Sequence, residues 1–528
     1  MTRKILLGAE HSIVEPLALF HLSDIAKQEG WEPKIVLSKG PDYENFRKSI
    51  KEFRPDVFGL SLSTGNHGDI KTMFNQVKKE NSNLRTVVGG PHPTYFPTGC
   101  LEYSDYVVVG EGFDSLRRIL NGVALSGIVS VKRTEEFSSS NRKEFYEENP
   151  IHRENPIKSI VAGSGCFYNC AHCYNSNKMS DVPGLEAEQV QEMEKAIGAK
   201  RFFPARQRPL SDVLLEIEHV QKVAPETKMF FFQDDIFGGD IEWLRGFSEK
   251  YNARLPFHIN MRYELVNPDT AVGRERVSLL KKSGCTGLTL AIESGDEHIR
   301  KELLKRNTPE DLILNATEYL GKNGFKVRTN QMIGLPYGAT REKTKMNLEA
   351  DLETLELSVR LKEQAGLPTI PWASTLAPYP GTKIAEYCES HGFCDESCDV
   401  VGGETYRTSS VLKHAKEWVG PTLSPEDDCW LDEGAQSTYR TQLKTLMDYF
   451  PIFGLIPSGH NVARDFLTKG QMGFKDIYNL MKKHDVFDKI HEGKKLEARL
   501  INQEDKSSSA INASVRHHVY DNDLFDIK

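Results

Sequence analysis

The sequence predicts an α/β protein in three parts: a doubly wound parallel-sheet domain over residues 1–132, a partial or full (β/α) barrel over 157–400, and a mostly helical C-terminal region over 401–528. Three observations carry this. Short β-rich runs alternate with amphipathic stretches in two separate series, the pattern of parallel strands joined by crossover helices. A polar, Ser-rich interval, RTEEFSSSNRKEFYEENP, lies within a linker over 133–156 and shows no apolar period. Beyond about residue 400, strand-like runs give way to helical ones such as YRTQLKTLMDYFPIF and FKDIYNLMKKHDVF.

In the first series KILLGA (4–9), KIVLS (34–38), VFGLSLST (57–64), TVVGG (86–90) and YVVVGEG (106–112) read as strands. Between the first two, EPLALFHLSDIAKQEG (15–30) places Leu17, Leu19, Phe20, Leu22, Ile25 and Ala26 near one helical face, and Gly30 stops it. Ligands of such sheets sit outside the C-terminal strand ends. Those ends here are GAEHS, SLSTG, GGPHP and GEG, all small or polar.

The second series has strands at SIVAGSG (159–165), MFFFQDD (229–235), PFHINMR (256–262), GLTLAIES (287–294), KVRTNQMIG (326–334) and TIPWASTLA (369–377). Six βα units place active-site groups at the C-terminal strand ends. The stretch 176–207 is long and irregular for a βα connection and reads as a substrate-facing insertion. The tail from about 503 is polar and expected to be loosely ordered.

Composition bounds the function. A chain of 528 residues, 39% hydrophobic and 27% charged, suits several globular domains that fold without disulfides. A net charge of −8 and a pI near 6.1 disfavour a broad surface for nucleic acid or anionic membrane. The strongest basic cluster, Lys200, Arg201, Arg206 and Arg208, is short and mixed with Phe and Pro. The first residues lack the apolar run of a signal peptide, and no stretch has the ~18 apolar residues of a membrane span. The expected location is a reducing cytoplasm, where clustered cysteines bind metal or do redox chemistry.

The strongest motif is GSGCFYNCAHCYNS (163–176), with Cys166, Cys170 and Cys173 spaced Cys-x3-Cys-x2-Cys. Three thiolates on one loop can each bind one iron of a cubane cluster, leaving the fourth iron open to a small molecule. Clusters that only carry electrons usually have four cysteines. The alternative is zinc, with His172 as the fourth ligand. Cys388, Cys394, Cys398 and Cys429 match no familiar ligand spacing and read as plain thiols, and Cys100 and Cys285 as small core residues. Trp372, Tyr379 and Tyr406 line a substrate cavity or simply pack.

This loop, at the end of a first barrel strand, resembles the radical S-adenosylmethionine (radical SAM) superfamily. The resemblance extends over about 160–385, through FFFQDDIF, HINMR, IESGDEHIRKELLKRNT, MIGLPYGATRE and APYPGTKI. One departure is His172, where the family usually has an aromatic ring. The resemblance implies a 4Fe-4S cluster on Cys166, Cys170 and Cys173, with SAM on the fourth iron. It implies that Glu293 and Ser294 contact the ribose or methionyl group of SAM, that Arg262 faces its carboxylate, and that Gly334 lets the adenine approach. The plainer alternatives are that Arg262 pairs with Asp234 or Asp235 and that Glu293 caps the following helix. An electron donor such as flavodoxin or ferredoxin is the implied partner.

VFGLSLSTGNHGD, RTVVGGPHPTYFP and DYVVVGEGFDSLRRIL resemble the cobalamin-binding domain fused to a large radical SAM subfamily. The implied contacts are Ser61, Ser63 and Thr64 with the nucleotide tail, Gly89 and Gly90 with its bulky base, and Gly110, Glu111 and Gly112 closing the pocket. The Asp-x-His-x-x-Gly element that supplies a lower cobalt ligand is absent, and the nearest histidines are His11 and His67. The subfamily implies a cobalamin-dependent methyltransferase acting on an unactivated carbon of a small metabolite. One SAM methylates cobalamin, and a radical from a second creates the acceptor. The alternatives are a radical SAM oxidoreductase or cyclase and, from another class, a non-enzymatic cobalamin sensor. No catalytic acid, base or nucleophile is legible.

Overall fold

The structure, a computed structural model, describes residues 2–12, 14–38, 43–65, 67–124, 126–130, 142–182, 184–336, 347–365, 369–394, 410–414, 430–468, 474–489 and 493–503. The chain divides into two compact units, Met1–Asn169 with Cys173–Gly238, and Cys170–His172 with Gly239–Lys528.

The first unit opens with six strands, β1 (Lys4–Glu10), β2 (Glu32–Ser38), β3 (Val57–Ser61), β4 (Arg85–Gly89), β5 (Tyr106–Val108) and β6 (Gly127–Val129), in the order β2-β1-β3-β4-β5-β6. Every pairing is parallel. The order reverses between β1 and β3, which makes their C-terminal ends the switch point where ligands of such sheets bind. Five of these strands are legible in the sequence, whereas β6 has three residues, too few to carry a period. Alternate residues serve opposite faces. Leu6, Phe58, Leu60, Val88 and Val107 pack with Phe46, Ile70 and Phe74. Ile5, Leu7, Val57, Val87 and Val108 pack with Leu19, Ile25, Leu116 and Ile119. Full burial of one such side chain is worth about 1.5–3 kcal/mol.

Two stretches differ from expectation. The linker holds two short helices, Lys143–Glu148 and Pro150–Glu154. Phe145 and Tyr146 anchor the first against Phe20 and Leu37. Helices of six and five residues are too short to show a period among so many charges. The expected substrate-facing insertion contains the helix Ala187–Ile197, ended by the left-handed Gly198. Its Met193 and Ile197, with Met179, Val182 and Phe202, complete the core around Phe74. This stretch is mainly packing.

The first unit also holds β7 (Ile157–Ile160), the short β8 (Gly163–Ser164) and β9 (Arg206–Gln207), and β10 (Met229–Phe232). β7 and β10 are parallel, and β8 and β9 are antiparallel. The second unit carries β11 (Phe257–Met261), β12 (Cys285–Glu293), β13 (Lys326–Ile333) and β14 (Thr369–Thr375), all parallel. In the second unit the strand order is β14-β13-β12-β11, and in the first β10 lies beside β7, the strands of a partial barrel. The C-terminal region is helical as expected. Its helix Glu433–Leu455 buries Leu443, Leu446, Met447, Phe450 and Phe453 in one core with Ile333 and Ala373. The expected loose tail beyond 503 lies outside the described residues.

Two buried histidines in the second unit give a pH prediction. His258 Nε2 lies 2.7 Å from Thr289 Oγ1, and burial, helped by Arg328, pushes the imidazole down to about 3. Burial beside Arg440 does the same to His414, also to about 3. Both values lie below the ~6.5 of an unfolded histidine. Their stabilising contribution is therefore complete above about pH 6.5 and is lost as pH falls from 6.5 towards 3. At pH 5 each loses about 2 kcal/mol. Urea midpoints should fall between pH 7 and pH 5, and His258→Gln should flatten that slope. A slope unchanged in the variant would exclude His258 as its source.

Candidate active site

In the first unit the approach to Cys166 has no room for side chains. Gly165 has φ +78°, and a Cβ there would lie 2.2 Å from the Phe203 carbonyl oxygen. At Gly163 it would lie 2.7 Å from the Arg206 carbonyl oxygen. Two carboxylates after β10 hold this approach. The Ala162 N–H donates to Asp234 (2.9 Å), and the Gly165 N–H donates to Asp235 (3.0 Å). Burial raises both carboxyls, that of Asp234 to about 8. Arg201 donates to the Tyr168 carbonyl (3.1 Å) and to the Asn169 side chain, and so clamps the loop. After Cys173, the Ser176 N–H and hydroxyl both donate to the Cys173 carbonyl. The arginines of the expected basic cluster are spent internally, since Arg206 pairs with Glu111 and Arg208 is buried on Glu216, whereas Lys200 is exposed.

A cavity of about 320 Å³ sits at the strand ends of the first sheet. Of the eight residues expected there, Ser61, Gly89, Gly90, Gly110, Glu111 and Gly112 line it. Ser63 and Thr64 do not belong to the lining: Ser63 is exposed, and Thr64 bonds to His92 (3.3 Å). The opposite wall includes Gly163, Ser164 and Phe203, so the cavity borders the approach to Cys166. Gly90 has φ +99°, and a Cβ would sit 3.0 Å from Ser61 Oγ. His11 is exposed and outside the lining, and the side chain of His67 lies outside the described residues. His21 does line the cavity, buried 4.0 Å from Glu216. The sequence signal was its spacing with Leu17, Ala18 and Leu22 on one helical face.

In the second unit Cys170 is buried and receives two guanidinium groups. Arg262 Nη1 donates to its Sγ at 3.0 Å and Arg306 Nη1 at 3.7 Å. Arg262, expected opposite a SAM carboxylate or beside Asp234 or Asp235, also grips Glu264 through Nε (3.0 Å) and Nη2 (2.6 Å). Burial would raise the Glu264 carboxyl, but Arg262 holds it below the usual range. Glu293 ends β12 at φ +72°, a left-handed conformation uncommon for any residue but glycine. Burial alone would raise its carboxyl, yet His172 (3.5 Å) and Arg306 (3.2 Å) hold it down, to about 2. The residue that caps the next turn is Asp296, which accepts from the N–H groups of His298 and Ile299.

Ser294 is fully buried, and its carbonyl accepts from Arg300 (2.7 Å). Gly334 follows β13 at φ +66°, and its N–H donates to the buried Asp351 (2.8 Å). The second Asp351 oxygen accepts from the Tyr439 hydroxyl (2.6 Å). Contacts at Cys170 thus gather Arg262 and Glu293, while Ser294 and Gly334 stand at the ends of neighbouring strands. Arg306, Glu264 and Asp351 were not expected. Arg306 lay in the quoted IESGDEHIRKELLKRNT run without a role.

His172 faces Glu293 rather than completing a zinc set, and among the described residues no three His, Cys, Asp or Glu gather as a single-ion site. Cys100 and Cys285 are buried free thiols, as expected. Cys388 is also buried and free, but Cys394 is disulfide-bonded, which corrects its reading as a plain thiol. A disulfide depends on spatial proximity, which spacing alone does not reveal. Cys398, Cys429, Tyr406 and the end of MIGLPYGATRE lie outside the described residues. Trp372 carries the Arg328 guanidinium 4.5 Å over its ring.

Comparisons with known proteins match both parts of the chain. The B12 binding domain family matches residues 3–120, and the Radical SAM superfamily matches 160–346. An uncharacterized methyltransferase of Pyrococcus horikoshii is 25% identical over 408 residues, 70% of this chain and 78% of that protein. Cytidylyl-2-hydroxyethylphosphonate methyltransferase of Streptomyces wedmorensis is 24% identical over 440 residues, 72% of this chain and 79% of that protein. The fold is similar to that of the radical S-adenosylmethionine methyltransferase TsrM from Kitasatospora setae, at TM-score 0.53 and 16% identity, covering 74% of this chain and 76% of that one. The chain is a cobalamin-dependent enzyme of the radical SAM class, with SAM, a 4Fe-4S cluster and cobalamin as its cofactors. Both of these curated relatives are named methyltransferases, and the comparisons do not favour the cyclase or sensor readings. Among the described residues no helix is long and apolar enough to cross a membrane.

Proposed function

We propose that the enzyme methylates an unactivated carbon of a small metabolite, and that its cofactors are held by the residues described above. The observation that carries this is the cavity wall formed by Gly163 and Ser164, which puts the floor of the cobalamin-type cavity next to the approach to Cys166. The name of the Streptomyces relative, an enzyme for a cytidylyl phosphonate, supports a small acceptor.

The donor sets fit the cofactors. Cys166, Cys170 and Cys173 are not joined in disulfides, and two guanidinium groups donate to Cys170 Sγ. The three cysteines would hold three irons of the cluster. Glu293, Ser294, Arg262 and Gly334 would hold SAM. A wall of glycines that an added Cβ would narrow suits a flat, bulky group, and Ser61 and Glu111 offer polar contacts to cobalamin. When bound, the cluster with SAM supplies the radical that takes a hydrogen atom, and the corrinoid supplies the methyl group. The chain's own work is to place these groups and exclude water, which suppresses side reactions of a radical. A reduced flavodoxin or ferredoxin would deliver the electron. The free cysteines suit a reducing cytoplasm, with Cys394 the exception.

The test is anaerobic purification with cobalamin available, followed by iron, sulfide and corrinoid assays and turnover with methyl-labelled SAM. About four irons and one corrinoid per chain, with label in a carbon of a small-molecule product, support the reading. Four irons without corrinoid after reconstitution overturn it. The cavity gives a sharper prediction. A Cβ on Gly89 would make only an ordinary 3.5 Å contact with Val108. Gly89→Ala should fold and bind corrinoid, whereas Gly89→Leu should fold and bind at least ~10-fold more weakly, by equilibrium dialysis. Equal binding by the two variants would place the cofactor elsewhere.

A further inference from the structure

We propose that Arg306 is a positioning residue that couples Cys170 to Glu293, so that one guanidinium sets both the redox poise of the cluster and the fit of SAM. This rests on the reading of Cys170 as a cluster ligand and Glu293 as a SAM contact.

Arg306 is buried, and its donors go to three places. Nη1 lies 3.7 Å from Cys170 Sγ and 3.2 Å from Glu293 Oε1, and Nη2 donates to the Ala291 carbonyl at 2.6 Å. Ala291 and Glu293 flank the point where the register of β12 against β13 shifts. The same group therefore secures the Ala291 backbone, two residues before Glu293, and the carboxylate of Glu293 itself, which is held at φ +72°. Its link to Cys170 matters for electrons, because hydrogen bonds onto cluster sulfurs help to set the reduction potential. A donated hydrogen bond stabilises the added negative charge and raises that potential. Lysine is a point charge and cannot reproduce the planar fork that serves these acceptors together. Arg262 offers an internal comparison. It donates to the same sulfur, but its Nε and Nη2 donate to Glu264.

The experiment uses the reconstituted full chain and two readouts other than turnover. The midpoint potential of the cluster is taken by EPR-monitored redox titration. SAM affinity is taken from the change that SAM causes in the cluster EPR signal. Arg306→Gln should lower the potential enough to cut the reduced fraction about tenfold at a fixed poise, and raise the SAM concentration for half-conversion about tenfold. Arg306→Lys should lose SAM affinity similarly while keeping more of the potential. Wild-type values of both quantities in Arg306→Gln at full iron loading would overturn the proposal, and a change in only one would overturn the coupling. Should Arg306→Gln fail to fold, Arg306→Lys decides: wild-type values of both quantities in it overturn the proposal. A wild-type chain that never holds about four irons would instead refute the cluster assignment beneath it.

Discussion

Cys170→Ala should leave a chain that holds no intact cluster, with turnover at background. The thiol is one of three in the Cys-x3-Cys-x2-Cys loop, and a cubane held by two cysteines lacks a second open iron's ligand. The loss is also structural. Arg262 and Arg306 both donate to Cys170 Sγ, and alanine removes that acceptor, leaving Arg306 Nη1 with Glu293 alone. An unsatisfied buried donor costs about 1–3 kcal/mol. The cavity that would take cobalamin is lined by residues of the first unit alone, so corrinoid binding should survive. Iron and sulfide assays, a denaturation curve and corrinoid dialysis on one preparation separate these effects. Full iron loading with SAM cleavage would sink the cluster assignment.

The largest loss of stability should come from Glu216→Ala. Glu216 is 1% exposed, and its two oxygens accept from Arg142 Nη2 and, at 2.6 Å, from Arg208 Nη1. Arg142 is fully buried and also bonds Glu15 (3.2 Å) and the Ser159 carbonyl (2.9 Å). Removing the carboxylate leaves two guanidinium groups in the interior without their central counter-charge. Breaking a buried pair in this way costs about 3–5 kcal/mol. In a unit of this size that lowers Tm by on the order of 10 °C. Glu216→Gln keeps an acceptor and should lose less. Because His21 and Arg208 line the cavity and both lie against Glu216, corrinoid affinity should fall along with stability. A wild-type melting curve in Glu216→Ala would show that the network is solvated.

The order and type of the main strands were legible because parallel strands buried on both faces leave short apolar runs between helical ones. The cysteine loop was legible because its ligands lie within eight residues of one another. The glycine-rich strand ends pointed to the cavity for the same local reason. What sequence did not reveal was long-range. Arg306 meets Cys170 across 136 positions and Tyr439 meets Asp351 across 88, and nothing in the neighbours of either residue names its partner. The aromatic anchors Phe145 and Tyr146 were hidden among charges. His21 was passed over within the helical stretch 15–30, although it lines the cavity beside Leu17, Ala18 and Leu22. The Cys394 disulfide could not be deduced from four scattered cysteines.

The glycine wall of the cavity has a thermodynamic consequence. Gly89, Gly90, Gly110, Gly112 and Gly163 line it without a single rotatable side-chain bond. Immobilising a rotamer-rich side chain on binding costs about 0.5–1.5 kcal/mol. A ligand entering against this wall freezes no rotamers there, so the surface is preorganised. Its shape is that of the main chain, which can neither swell nor shrink to suit a guest. Selection at this wall therefore acts on the thickness of the ligand, and a wrong guest is refused by fit rather than accommodated by rearrangement.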